Sequence, residues 1–372
     1  MKIAIDCRFW GPHHTGLGRY SQSLVSAIYR LKPNHQFFLL VNSKDRKKIK
    51  KDLPEFKIIP CRSKPYSLAE QIEIYKSLHQ LKPDLTHFLH FNCPYFFNQK
   101  FIVTIHDLIK HHSTGLKTTT KSAFGYPIRR LAYFKIMNHV IYQSIKIITP
   151  SKWVKKDILN HYHQIDSSKI IITPEAPARI YANPIKSNKR PLEQPYLIFV
   201  GNAYPHKNLI QLIKVMRNIN QKLTKPLFLI IITGRGVFYQ RLRQEIRDLK
   251  VQSVIRLKSF TSDKELKNLY CHALAFITPS LLEGFGLPGL EAMASGTLVL
   301  ASNRASLPEI YQNHAFYFNP QNQSEIISAI HKVINLSAKE RQKRIQKAQQ
   351  FANQYSWQKT AQQTLNLYQS VF

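Results

Sequence analysis

The chain has 372 residues, enough for about two domains of ordinary size. Its 44% apolar content separates it from disordered chains, and its strongest apolar run, residues 227–232, is far shorter than the ~20 residues that span a bilayer. The net charge of +33 is spread over the whole length, with 28 basic against 11 acidic residues in positions 1–175, so it describes a basic body and excludes a basic tail.

In chain order, "KIAID" (Lys2–Asp6) opens a series of strand-length apolar runs. Phe37–Val41, Phe56–Pro60, Leu85–Leu89, Phe101–Asp107 and Ile145–Pro150 continue it. Helical spacing lies between several of them. From Tyr20 it places Leu24, Ile28 and Leu31 on one face, and from Ser67 it places Leu68, Ile72, Tyr75 and Leu78 on another. Buried strands alternating with helices predict an α/β fold with a parallel sheet covered on both sides. Residues 173–195 hold five prolines and read as a linker. The alternation then resumes from Pro195, with runs at 227–233, 254–258, 273–279 and 297–302. Two doubly wound domains are therefore expected, at 1–178 and 190–354. A terminal helix over 355–372 has Trp357, Ala361, Leu365 and Tyr368 on its apolar face. Such sheets bind ligands at the carboxyl ends of their strands, and two facing domains make the cleft between them the natural site.

The chemistry concentrates in "PSLLEGFGLPGLEAMASG" (279–296). Pro288 suits the first turn of a helix and Gly296 its end. Residues 284–287 then form a strand-to-helix loop whose amides face whatever lies before the helix, a site suited to phosphate. Glu283 precedes that loop and Glu291 lies about one turn inside the helix. "VGNAYPHKN" puts Lys207 near another helix start, where the helix dipole prefers acids, so the lysine reads as a cation awaiting an anion. "ITGRG" is a second glycine turn at a strand end, with Gly234 at its centre. "TGLGRYSQSL" carries Gly16 and Gly18 ahead of the first helix, but Ser21 stands where G-x-G-x-x-G needs glycine. Loop glycines at positive φ are its plain alternative. His106 closes a strand in "TIHDL", where a structural histidine is the commoner outcome. No metal-ligand cluster is visible, so no metal is expected. The four cysteines form no C-x-x-C pair and read as buried apolar residues in a reducing compartment. The opening "MKIAIDCRFW" has an acid and an arginine where a signal peptide would be apolar, so a cytoplasmic location is expected.

Together these segments resemble the retaining family-4 glycosyltransferases of GT-B fold, over nearly the whole chain. Glu283 and Glu291 match the E-x7-E signature, "GNAYPHKN" the donor-phosphate loop, and "TGLGRYSQSL" the N-terminal glycine loop. "DKELKNLYCHALAFITPS", "SLPEI" and "YSWQKTAQQTLNLY" follow in the family's order, and "PHKN" is most similar to bacterial mannosyl- or rhamnosyltransferases of surface-polysaccharide assembly. The resemblance implies two Rossmann-like domains about a cleft, with the terminal helix crossing back to the N-terminal, acceptor-side one. It implies a nucleotide-diphosphate sugar on the C-terminal domain and a glycan or lipid-linked acceptor. Glu291 would hold the ribose, and Lys207 with the amides of Phe285, Gly286 and Leu287 the diphosphate. Asn202, Gly234, Gly16 and Gly18 complete the nucleotide-sugar set, while Glu283 and His106 approach the transferred sugar. Cofactors are none, with lysine and amides in place of a metal. Asn202 stands where the family often has Arg, and Ser259 where it usually has Gly. One cation is then missing, unless Arg235 or another basic residue substitutes.

The charge then suits an enzyme peripheral on the anionic inner face of the cytoplasmic membrane, docked through "SKDRKKIKK" (43–51) and the basic, aromatic stretch Tyr126–Tyr142. A nucleotide-sugar epimerase of the same fold is the rival enzyme. A glycosidase needs its two carboxyls around one bond, which a strand-loop-helix placement of Glu283 and Glu291 does not favour. A nucleic-acid-binding protein is the rival from another class. With no such motif in the chain, no nucleic-acid partner is expected.

Overall fold

The computed structural model describes residues 1–113, 125–183 and 190–371. In order, the first sheet and its helices are β1 (Lys2–Cys7), α1 (Thr15–Arg30), β2 (Gln36–Asn42), α2 (Arg46–Asp52), β3 (Lys57–Cys61), α3 (Leu68–Leu81), β4 (Leu85–Phe88), β5 (Phe101–Thr104), α4 (Ile109–His112), α5 (Tyr126–Gln143), β6 (Lys146–Thr149), α6 (Lys152–His161) and β7 (Ile170–Ile172). After α7 (Arg179–Ala182) come β8 (Tyr196–Val200), α8 (Leu209–Asn220), β9 (Phe228–Ile232), α9 (Val237–Asp248), β10 (Ile255–Lys258), α10 (Asp263–His272), β11 (Ala275–Thr278), α11 (Leu287–Ala294), β12 (Val299–Ser302), α12 (Leu307–Tyr311), β13 (Ala315–Phe318), α13 (Gln323–Ile334), α14 (Ala338–Ala352) and α15 (Trp357–Ser370).

Every strand pairs in parallel. The first sheet runs β3-β2-β1-β4-β5-β6-β7 and the second β10-β9-β8-β11-β12-β13. Each order reverses once, at β1/β4 and at β8/β11, and these are the switch points where such sheets take ligands. The central strands are buried at almost every position, as a sheet covered on both faces requires. Of the four edge strands, β7 and β13 are not anticipated from the sequence; in β7, three isoleucines beside a turn make too short a run to stand out.

The chain divides into two compact units: residues 1–108, 125–175 and 357–371, and residues 109–113, 176–183 and 190–356. In the first unit, one sheet face is covered by α1, α2 and α15 through Leu24, Ile28, Ile49, Ala361 and Leu365. The other is covered by α3, α5 and α6 through Ile74, Leu78, Met137, Val140 and Ile158. In the second unit, α8, α9 and α13 cover one face and α10, α11, α12 and α14 the other.

Three sequence expectations change. The first helix starts at Thr15, so Gly16 and Gly18 lie in its first turn and not in a preceding loop. The α3 face is different: Leu68 and Ile72 are 84% and 58% exposed, while Glu70, Ile74 and Leu78 are buried. Arg8 takes the carboxylate of Glu70 inward, and that bond rotates the helix against its apolar periodicity. The proline-rich linker contains α7, which buries Tyr181 in the core of the second unit; residues 184–189 lie outside the described ones.

The apolar face of α15 closes on the first unit as its spacing anticipates, with Ala361, Leu365 and Tyr368 buried. Tyr368 Oη and His87 Nδ1 are 2.7 Å apart, and His87 Nε2 and Thr104 Oγ1 2.9 Å. Burial, with the charge of His106, pushes the His87 pKa down to about 3, so this ring stays neutral and the network carries no charge. Tyr368→Phe leaves one buried imidazole nitrogen without its partner. It is expected to cost about 1–3 kcal/mol of stability, read as a lowered midpoint of urea unfolding at unchanged slope.

Candidate active site

The second sheet's switch point is built by the chain leaving β8 and β11. After β8, a single 3-10 turn over Pro205–Lys207 ends at Asn208, which holds φ 56° and anchors itself by donating from Nδ2 to the Pro320 carbonyl at 2.8 Å. After β11, the Leu281 amide donates to the His206 carbonyl at 2.7 Å and ties the two loops together. Lys207 is thereby brought against Glu283, Nζ to Oε1 at 2.5 Å, and Ser280 Oγ donates to the same oxygen at 2.8 Å. The lysine expected to await an anion has a carboxylate partner in this structure. Burial alone would raise the Glu283 pKa, but Lys207, His206 and Ser280 outweigh it and hold it below the usual carboxylate range. Next to this pair His206 is pushed down to about 4 by burial and by Lys207, so it is neutral.

Residues 284–287 then enter α11 as the sequence anticipates, with Gly286 at the cap and Pro288 in the first turn. Among the described residues nothing accepts from the amides of Phe285, Gly286 or Leu287. Orphan donors at a helix start, carrying the positive end of its dipole, attract an anion. Glu291 lies on the next turn and is 4% exposed. The glycines have a second task. Gly286 holds φ 97°, and a Cβ on Gly289 would stand 2.3 Å from the Tyr311 ring. Tyr311 is buried and donates its hydroxyl to the Gly286 carbonyl at 2.5 Å. This tyrosine braces the loop from α12, yet nothing in the sequence distinguishes it beyond its place after "SLPEI".

The neighbouring loops bring the two departures of the sequence together. A Cβ on Gly234 would lie 2.9 Å from Asn202 Oδ1, so these positions touch. One residue on, exposed Arg235 donates from Nε to Ser259 Oγ at 3.1 Å. Thr233 and Thr261, at the ends of β9 and β10, bury hydroxyls with no partner among the described residues.

In the first unit, neither Gly16 nor Gly18 is at positive φ; Gly11 is, at 75°. A Cβ on Gly18 would strike the Gly11 carbonyl at 2.0 Å, so close backbone packing explains it, whereas Gly16 faces open space. His106 is held at both nitrogens, with Nδ1 3.3 Å from Glu175 Oε1 and Nε2 3.0 Å from the Leu89 carbonyl. Tyr20 packs edge-on at 4.5 Å.

Comparison with known proteins agrees with this architecture. Residues 182–351 match the family described as "Glycosyl transferases group 1", and residues 14–176 match "Glycosyltransferase Family 4". The O-antigen chain mannosyltransferase RfbU of Salmonella typhimurium is 30% identical over 65% of this chain and 67% of that protein. The chain belongs to the family-4 glycosyltransferases. The O-antigen chain mannosyltransferase B of Escherichia coli is 29% identical over 65% of each. Among solved structures, WaaG, a glycosyltransferase involved in lipopolysaccharide biosynthesis, superposes with a TM-score of 0.73 at 15% identity, covering 98% of this chain and 99% of that one. HepE of Anabaena, solved with UDP-glucose, reaches 0.77 at 14% identity with full coverage of both. This glycosyltransferase thus has the GT-B pair of Rossmann-like units, of seven and six strands.

His106 supplies a pH test. Burial disfavours its charged ring, but the Glu175 hydrogen bond and charge outweigh that and raise its pKa. A raised native pKa stabilises fully below the unfolded value of about 6.5, and the gain is lost as pH rises through the native value. The melting temperature of Glu175→Gln should therefore fall furthest below that of the parent near about pH 5.5, and the gap should narrow by about pH 8.5.

Proposed function

We propose that this glycosyltransferase moves a mannosyl group from a nucleotide-diphosphate sugar to a growing, lipid-linked surface glycan, with retention at the anomeric carbon and without a metal ion. The observation that carries the reading is the set of three orphan amides at the α11 start with Lys207 beside it. The names of its mannosyltransferase relatives favour mannose, and the UDP-glucose bound by HepE is in keeping with a nucleotide-sugar donor.

In this reading the bond from C1 to the diphosphate breaks, the electron pair leaves with the nucleoside diphosphate, and an acceptor hydroxyl forms the new bond at C1. Charge grows on the leaving group, where the amides of residues 285–287 and Lys207 are already fixed. The diphosphate shares Lys207 with Glu283, whose carboxylate turns toward the sugar. Glu291 holds the ribose. Arg235, oriented by Ser259, supplies the cation that Asn202 cannot. His106, tied at its two nitrogens to Glu175 and the Leu89 carbonyl, orients the end of its strand.

Lys207→Ala and Glu283→Gln are each expected to lower kcat by about 10²–10³, the scale of one lost preorganised charge partner. Nucleotide at 100 times its Kd adds about 2.7 kcal/mol to the parent's stability in a melting screen with GDP, UDP, ADP and dTDP, and Lys207→Ala should lose most of it. Turnover unchanged in both variants would refute the site.

The membrane part of the reading narrows. The basic α2 packs on the sheet face it shares with α1 and α15, while α5 packs on the opposite face, so a flat bilayer does not meet both helices. The face with α5 is the better candidate, since it exposes Ile128 and Leu131 beside Arg129, with Leu68 and Ile72 on α3 of the same face. Among the described residues no helix is long and apolar enough to cross a membrane. Flotation with anionic vesicles should be lost in Ile128→Ser/Leu131→Ser and weakened by Arg129→Ala, each basic residue near an anionic leaflet contributing ~1 kcal/mol, and unchanged in Lys47→Ala/Lys48→Ala on the opposite face. Equal flotation with neutral lipid removes this part.

A further inference from the structure

Three loops of the first unit meet at the carboxyl edge of its sheet: Arg8 and Phe9 after β1, Tyr66 after β3, and His90 and Phe91 after β4. Those after β1 and β4 flank the switch point. At their centre Tyr66 holds φ 63°. That conformation is unfavourable for a bulky residue and persists only where its surroundings impose it.

The constraint is a buried charge network. Glu70 Oε2 accepts the Tyr66 amide at 2.6 Å and Asn92 Nδ2 at 2.8 Å, while its other oxygen pairs with Arg8 Nη1. Arg8 is chelated by Asp6, Nε to Oδ1 at 2.7 Å and Nη2 to Oδ2 at 2.6 Å, and donates to the Asn92 carbonyl at 3.0 Å. Asp6, Arg8 and Glu70 are all buried. Taking three charges from water is costly, and its best-attested return is a fixed register. Ser67 caps α3, and Glu70 is its third residue, where such an acid commonly reaches back to the cap amide. Here the carboxylate reaches one residue further, to Tyr66.

The network fixes an aromatic ring in solvent. Tyr66 is 54% exposed, its hydroxyl is 3.0 Å from His90 Nε2, and its ring lies 5.8 Å from Phe9. Phe9 is itself held edge-on by His14 and His90. An aromatic face carries partial negative charge and attracts polarised C–H bonds. A hexopyranose presents such C–H bonds on one face and hydroxyls around its rim. We infer that Tyr66, backed by Phe9 and His90, is the stacking platform for a hexopyranose of the acceptor glycan. The ring takes the sugar's C–H face, and the Tyr66 hydroxyl and the His90 imidazole meet its rim hydroxyls. This rests on the sugar-transfer reading, which places the donor nucleotide on the other unit and leaves this edge to the acceptor.

The test uses Tyr66→Gly, which removes the ring but suits the left-handed backbone, so an unfolding midpoint no lower than the parent's confirms the fold. Methyl α-mannopyranoside is the probe for the full chain. Saturation-transfer NMR should mark its ring C–H protons with the parent and with Tyr66→Trp, and not with Tyr66→Gly. With the same glycoside as acceptor, Tyr66→Gly should raise its KM about tenfold, equivalent to ~1.4 kcal/mol, while nucleotide melting shifts stay unchanged. No saturation transfer with the parent, or signal and KM that survive in Tyr66→Gly, would overturn the platform. Sugar binding that depends on Tyr66 in a chain that turns over no nucleotide sugar would keep the platform and sink the transferase reading.

Discussion

The constraint on which the rest depends is that both sheets are parallel and covered on both faces. Each strand must then return by a crossover, through a helix in every case but β4 to β5, so every loop at one sheet edge follows a strand and most precede a helix start. The chemistry collects at that edge because nowhere else do so many backbone amides and short loops converge. Lys207, Glu283, Arg235 and the 284–287 loop all leave strands at the carboxyl edge of the second sheet, and Arg8, Tyr66, His90 and His106 do so in the first.

Within that frame the two units treat charge differently. The second keeps one short ion pair beside a row of amides lacking acceptors, an arrangement that an arriving anion can rearrange. The first buries Asp6, Arg8 and Glu70 in a closed network that leaves nothing to rearrange. One serves exchange of partners and the other serves position.

The sequence was most legible where periodicity and burial agree. The face of α15 could be read from Trp357, Ala361, Leu365 and Tyr368, and the α11 start from Gly286 and Pro288, because local chemistry decides both. It failed where a distant partner decides. Leu68 and Ile72 look like a buried stripe, but the bond from Arg8 to Glu70 turns α3 the other way. Lys207 looks unpaired because its carboxylate lies 76 residues further on. Tyr311 and the aromatic group around Tyr66 have no spacing rule at all; only the fold assembles them. The distance between Glu283 and Glu291 was informative in an indirect way. Their different elements, loop and helix, argue for separate tasks and against a carboxylate pair acting on one bond.

The bracing of the 284–287 loop limits how this chain can change. Gly286 and Gly289 present bare backbone to one buried tyrosine ring, and that ring returns a hydrogen bond to the loop. No one of positions 286, 289 and 311 can drift alone: a larger residue at either glycine requires a smaller one at 311, and a smaller one there surrenders the bond that holds the loop. These three sites should therefore vary as a group over evolutionary time, coupled by shape although none of the three side chains reacts.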